Sequence, residues 1–172
     1  MNSGLHGPLF LFSAAARIDT VHMHIYIRPM SGLSEINLCN CFAIRQAARF
    51  VSQLYERHFG GVGVTSSQFS ILVHVHTAGT VGMLELAEAM MMDRTTLVRA
   101  IQPLQRDGYL VSQPEGKGSR KLLLTLTPRG RAKLSEAAIA WQAAQDEYTN
   151  LVGAERANVL RETLLSIPAL AA

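Results

Sequence analysis

Cysteine is scarce in this sequence. Cys39 and Cys41 are its only two, and they stand too close together to staple a fold, which argues against a disulfide-built secreted scaffold. Apolar runs are short as well. The stretch "LFLFSAAA" at 9–16 resembles the core of a signal peptide, but no Lys or Arg precedes it and it is far too short to span a bilayer. A cytoplasmic protein without membrane contact is expected. There is no phosphate-cradling glycine motif, and no Ser, His and Asp can be placed on a shared site, so an enzyme would lack its catalytic residues. His74 and His76 are two apart on a helix, about 200° around its axis, and do not chelate one ion. His22 and His24 would share a strand face but have no third or fourth ligand. Neither a metal nor a cofactor is expected.

What the chain does have is a core and a concentration of positive charge. Its 172 residues, 48% hydrophobic, suffice for one domain with an appendage. Net charge is only +3, yet residues 92–133 carry nine basic side chains against three acidic ones, net +6, which leaves −3 for the remainder. Clustered cations, more than whole-chain charge, give a surface its affinity for a polyanion.

Residues 1–33 read as an N-terminal extension: "TVHMHIYIRP" alternates like a strand but no hairpin partner follows, and Met30 is a candidate alternative start. Residues 34–172 read as the folded domain. Apolar positions recur at helical spacing from Glu35 to Phe59, predicting a long first helix closed by Gly60, Gly61 and Gly63. "TSSQ" at 65–68 is a capping-box pattern that opens a helix to about Thr77, and "AGT" at 78–80 closes it. A short helix follows over 83–90. In "MMDRTTLVRAIQPLQRDGYL", residues 91–110, Asp93 is placed to cap the N-terminus, and Leu97, Ile101 and Leu104 gather on one side. Thr95, Arg99, Gln102 and Arg106 gather on the other, and Pro103 should remove the bond to the Arg99 carbonyl and kink the helix.

Two β-favouring runs, 109–113 and 121–127, bracket a basic, glycine-loosened tip. "TPRG" at 127–130 then starts a helix with Thr127 as cap and Pro128 in its first position, carrying Leu134, Ala138, Trp141 and Ala144, and a last helix covers about 154–166. The expected fold is mainly α with a small β-hairpin wing: a winged helix-turn-helix over about 65–127, with dimerisation helices over about 35–59 and 128–167. In that arrangement the second helix of the pair enters the major groove of double-stranded DNA and the hairpin tip straddles phosphates. The expected DNA contacts are Arg94, Thr95, Thr96, Arg99 and Gln102 on the helix, and Lys117, Ser119, Arg120 and Lys121 on the wing. Arg is the commonest specific reader of guanine, and Thr meets phosphate or a thymine methyl. A winged helix that only docks proteins is the alternative of another class, but it would not need nine cations around its second helix and wing.

From Leu38 to about Leu165 the chain resembles the MarR (multiple antibiotic resistance regulator) family of transcription factors. The residues that carry the resemblance are "FSIL" at 69–72, "ELAEAMMMDRTTLVRAI" at 85–101, "RDGYL" at 106–110 and "SRKLLLTLTPRGR" at 119–131, in that order. The resemblance implies a homodimer with interlocked N- and C-terminal helices, recognition helices in successive major grooves, wings at the minor groove, and a ligand cleft between the dimerisation and DNA-binding parts. It implies a repressor bound to a pseudo-palindromic operator. The family's wing usually carries Asp-x-Arg; here Gly118-Ser119-Arg120 keeps the arginine and lacks the acid, which puts the wing's rigidity in question.

Release by a small aromatic or organic-acid effector is expected, held between the first helix, the 66–77 helix and the helix of Trp141. Arg45 and Arg49, one turn apart, are the expected carboxylate anchor, with Phe42, Phe69, Leu72 and Trp141 as apolar walls. Redox sensing is the other route. Cys41-Phe42 is similar to the reactive cysteine of the family's hydroperoxide-sensing branch, but Arg45 replaces that branch's tyrosine four residues on. A nearby arginine favours the thiolate.

Overall fold

The computed structural model describes residues 36, 38–116, 119 and 121–170. The extension read at 1–33, the alternation at 21–28 and the basic tip residues Lys117 and Arg120 lie outside them. Asn37–Ala172 form one compact unit.

Among the described residues six α-helices and three strands follow in the order α1 (Asn40–Phe59), α2 (Ser66–Ala78), β1 (Thr80–Gly82), α3 (Met83–Ala89), α4 (Arg94–Arg106), β2 (Leu110–Pro114), β3 (Leu122–Leu126), α5 (Pro128–Val152) and α6 (Ala154–Ser166). The expected caps form. Thr65 Oγ1 accepts from the Gln68 amide at 3.1 Å while Gln68 Oε1 accepts from the Thr65 amide at 2.9 Å. Each closes an amide that the first turn would otherwise leave open. Thr127 Oγ1 does the same for the Gly130 amide at 2.9 Å, with Pro128 behind it.

Two expectations are corrected. The first helix begins at Asn40, five residues later than expected, because Cys39 is extended and caps it, its Sγ accepting from the Phe42 amide at 3.5 Å. Cys39 is therefore the cap and not a helical residue, and both it and Cys41 are exposed. The hairpin also gains a third strand. Thr80, Val81 and Gly82 pair with Thr125, Leu124 and Leu123, giving an antiparallel sheet in the order β1-β3-β2. Pro114 sits at the end of β2, an edge strand, where a missing N–H costs no ladder bond.

The core is continuous from α2 through α4 to the sheet. Ile71, Leu72, Val75, Leu97, Ile101, Leu104 and Leu124 are all buried, so the apolar side read on α4 is the side that faces inward. The chain continues as helix through Pro103 to Arg106. Behind α4, the turn at Gly108 and Tyr109 that leads into β2 makes a crowded joint with α5. The Thr127 hydroxyl donates to the Gly108 carbonyl at 2.7 Å, the Thr127 amide to the Tyr109 carbonyl at 3.0 Å, and Lys133 Nζ to the Val62 carbonyl at 2.9 Å. Arg129 and Lys133 stand over the Tyr109 ring at 5.4 and 5.8 Å. Gly130 is buried where α5 meets this turn, and a methyl group there would collide with the Tyr109 carbonyl.

Along the other flank α5 lies on α1. Tyr55 donates to Gln145 Oε1 at 2.6 Å, and Glu147 receives both Arg57 and His58 at 2.6 Å. The His58 contact, with Arg57 adding to it, holds the Glu147 carboxyl below the usual carboxylate range. Among the described residues no helix is long and apolar enough to cross a membrane, and no group of three or more His, Cys, Asp or Glu is placed to hold a metal ion.

Candidate nucleic-acid interface

Helix α4 starts from a cap that uses two residues at once. Asp93 Oδ1 accepts from the Thr96 amide at 2.9 Å and Oδ2 from the Thr96 hydroxyl at 2.6 Å, and these bonds lower the Asp93 pKa. The Thr96 hydroxyl is thus spent on the cap. Arg94, Thr95, Arg99 and Gln102 are exposed, and no hydrogen bond among the described residues engages their side chains. With Leu97, Ile101 and Leu104 locked in the core, Thr95, Arg99 and Gln102 project from the opposite side on a rigid base, while Arg94 stands at the flank of the first turn.

The wing is set against this helix by contacts that no local pattern announces. Gln105 Nε2 on α4 donates to Ser112 Oγ on β2 at 2.5 Å, fixing the hairpin to the helix. At the base of the tip Lys121 Nζ meets Glu115 Oε1 at 2.7 Å, beside the Glu115 amide donating to the Lys121 carbonyl at 2.9 Å. Glu115 raises the Lys121 pKa. This cross-strand clasp joins the two strands at the base of the tip. Ser119 Oγ accepts from the Lys121 amide at 3.1 Å, closing the turn further. Lys117 and Arg120 lie outside the described residues.

Among the described residues, the cations of 92–133 do not all serve one patch. Arg129 and Lys133 cover Tyr109, and Arg131 Nη1 donates to the Leu126 carbonyl at 3.0 Å, so three of them brace the α5 joint. Arg106 pairs with its neighbour Asp107 at 3.0 Å. These four cations thus have partners within the chain.

The expected effector residues divide in a similar way. A cleft of about 210 Å³ opens between α1, α2 and α5, and Phe69 and Trp141 line it, their rings 6.2 Å apart. Leu72 is wholly buried in the core and forms no wall of the cleft. Phe42, Arg45 and Arg49 do not line it either; both arginines are exposed on α1. In their place stand Ser52, Tyr55, Ser66, Ser67 and Ser70, a hydroxyl-rich rim over Val51 and Phe59. Burial, with the nearby Tyr148, raises the Tyr55 pKa, so its hydroxyl stays protonated and donating. Ser66, Ser67 and Ser70 come from the first turns of α2, where the sequence pattern announces only a capping box, and Ser52 comes from α1.

The sequence model of the MarR family matches residues 64–117. A regulator of Bacillus subtilis, the uncharacterized HTH-type transcriptional regulator YwoH, is 27% identical over 104 residues, 60% of this chain and 75% of its own. The transcriptional regulator MosR of M. tuberculosis, solved in complex with DNA, is 32% identical with a TM-score of 0.63, over 76% of this chain and 98% of that one. A mutant of MarR from E. coli complexed with operator DNA shares the fold at 21% identity and a TM-score of 0.70, over 80% of this chain and 99% of that one.

Proposed function

The chain belongs to the MarR family, and from that premise we propose that it is a sequence-specific DNA-binding transcriptional regulator, a homodimeric repressor released by a small-molecule effector. The observation that carries the reading is α4, anchored by three buried aliphatics and presenting Arg94, Thr95, Arg99 and Gln102 outward beside a clasped hairpin. A major groove about 12 Å wide admits such a helix. The relatives solved on DNA support this use of it. A regulator of this kind works where the DNA is, in the cytoplasm. The direct test is fluorescence anisotropy with a duplex carrying the intergenic palindrome beside the gene. Saturable binding that a scrambled duplex does not compete away supports the reading, and equal affinity for both duplexes refutes it.

Dimerisation is supported by apolar surface left uncovered. Ile44 and Phe50 on α1 are about half exposed, and Leu160, Leu164 and Leu165 on α6 face outward. Apolar patches of this extent on a single chain mark an interface. A second copy related by two-fold symmetry would cover them and place the two α4 helices about one helical turn, roughly 34 Å, apart on the DNA. Sedimentation at micromolar concentration is expected to give twice the chain mass; a monomer there removes the dimer and the paired half-sites together.

For the effector, the cleft favours neutral hydroxylated aromatics over carboxylates, since hydroxyls line it and the two arginines do not. Apolar walls with a few fixed polar groups are the usual lining of a small-molecule site. Trp141 is the only tryptophan in the chain and sits in that lining, so its emission reports occupancy directly. Titration with phenols should give a saturable change in emission that tracks release of the duplex, with benzoates weaker. Release of DNA without a change in Trp141 emission would place the effector elsewhere.

A further inference from the structure

Four of the seven methionines fall within ten residues, at 83, 90, 91 and 92. Three of them line a groove of about 870 Å³ at the foot of α4, between α3, the turn before α4, and β3. Met83, Leu84, Ala87, Met91, Met92 and Leu122 give it apolar walls, and Arg94 and Lys121 share its lining. The three thioethers are placed differently. Met91 is 75% exposed and, with φ at 49°, is the one non-glycine residue of left-handed backbone among those described. Met83 and Met92 are half-buried: they line the groove and also pack against the hydrophobic core. The Met92 amide donates to the Ala87 carbonyl at 2.9 Å, and the next residue is Asp93, the cap of α4.

We propose that this groove is an oxidant-sensing site in which the thioethers of Met83 and Met92 are oxidised to sulfoxides and the recognition helix is displaced. The inference rests on the reading of α4 as the DNA-reading helix. The oxidant is a two-electron oxygen donor such as hypochlorous acid. Its oxygen is transferred to the methionine sulfur, which loses two electrons; chlorine takes them and leaves as chloride, and the proton goes to water. The product is a polar, chiral group in place of an apolar one. At Met91 that change falls in solvent and does little. Where Met83 and Met92 pack on the core, the S=O dipole would lie against aliphatic atoms, which is unfavourable, so the side chain must turn outward to the groove, where water, Arg94 and Lys121 can donate to it. The turn gives way readily, because its left-handed Met91 already carries a backbone cost that a glycine there would not. Moving Met92 moves Asp93, and with it the cap and first turn of α4.

The test uses the full chain with Cys39→Ser and Cys41→Ser, so that no response comes from a thiol. The protein is treated with hypochlorous acid, sulfoxides are mapped by peptide mass spectrometry, and two readouts follow: anisotropy with the intergenic-palindrome duplex, and amide hydrogen exchange across 93–106. Sulfoxide at Met83 and Met92 should weaken duplex binding by about tenfold or more and speed exchange at the start of α4. Methionine sulfoxide reductase should reverse both effects. The variant Met83→Leu with Met92→Leu, close in volume and not oxidisable, should keep its affinity under the same treatment, whereas Met91→Leu should still respond. Unchanged affinity and exchange with both sulfoxides formed overturns the inference, as does equal release from the double leucine variant. If the untreated protein does not bind the duplex, it is the DNA reading that fails, and the exchange measurement still decides this one.

Discussion

Gly130→Ala is expected to lower stability by about 3 kcal/mol or more, at the upper end of what overpacking does. The added methyl would meet the Tyr109 carbonyl head-on and come within 2.9 Å of Leu126 Cδ2. The carbonyl is backbone and cannot swing aside, and the Leu126 side chain is itself buried in the core. To make room α5 must lift from the sheet, and the bonds that close this joint go with it: Thr127 to Gly108, Thr127 to Tyr109, and the Gly130 amide to the Thr127 hydroxyl. For a chain of this size the loss corresponds to a fall in Tm of about 6–12 °C. A circular-dichroism melt measures it. The control is Gly61→Ala, where nothing lies within 4 Å and φ is ordinary, and no fall is expected. A Gly130→Ala melt within about 2 °C of the parent, under 1 kcal/mol, would show that the joint yields and that the crowding is not tight.

Arg99→Ala is expected to cost about 1–3 kcal/mol of operator affinity and to narrow the gap between operator and scrambled duplex, because a guanine-reading arginine contributes to one and not the other. Arg99 is exposed and outside the core, so its removal should leave the melt unchanged and the loss is assignable to binding. Arg99→Lys should restore little, since an ammonium lacks the two parallel donors of a guanidinium. Anisotropy on both duplexes reads the result. An equal loss on both would make Arg99 a phosphate contact, and no loss at all would mean that α4 presents a different face to DNA.

The helices and their caps were legible because their signals are local. A capping box spans four residues, and Leu97, Ile101 and Leu104 announce their face by spacing alone. What escaped was decided by distant parts of the chain. Strand β1 is three residues long and exists only because Thr80 meets Thr125 across the fold, so composition at 80–82 says nothing of it. The wing clasp between Glu115 and Lys121 depends on register, and the Gln105 to Ser112 bond on how the hairpin leans. Of the expected effector residues only Phe69 and Trp141 line the cleft, for a related reason. Periodicity shows which α1 residues share a side, but whether that side meets α2 is fixed by packing, and Arg45 and Arg49 fell outside the cleft while Ser52 and Tyr55 fell within it. Gly130 gave no warning, since a glycine in the first turn of a helix looks like an indifferent choice until the neighbouring strand is in place.

Glu56 on α1 accepts from both the amide and the hydroxyl of Ser66, at 2.9 and 2.6 Å, which pins the first residue of α2 to the dimerisation side of the molecule. From that pin α2 runs 13 residues, about 20 Å, and packs on α4. It is a lever with its fulcrum beside the serine-lined cleft. A tilt of about 10° at the fulcrum carries the far end about 3.4 Å, the rise of one base step along DNA. On the proposed reading, a molecule wedged at Ser66 would need no unfolding and no large domain swing to end repression. It would have only to put each reading helix one rung out of step with its half-site.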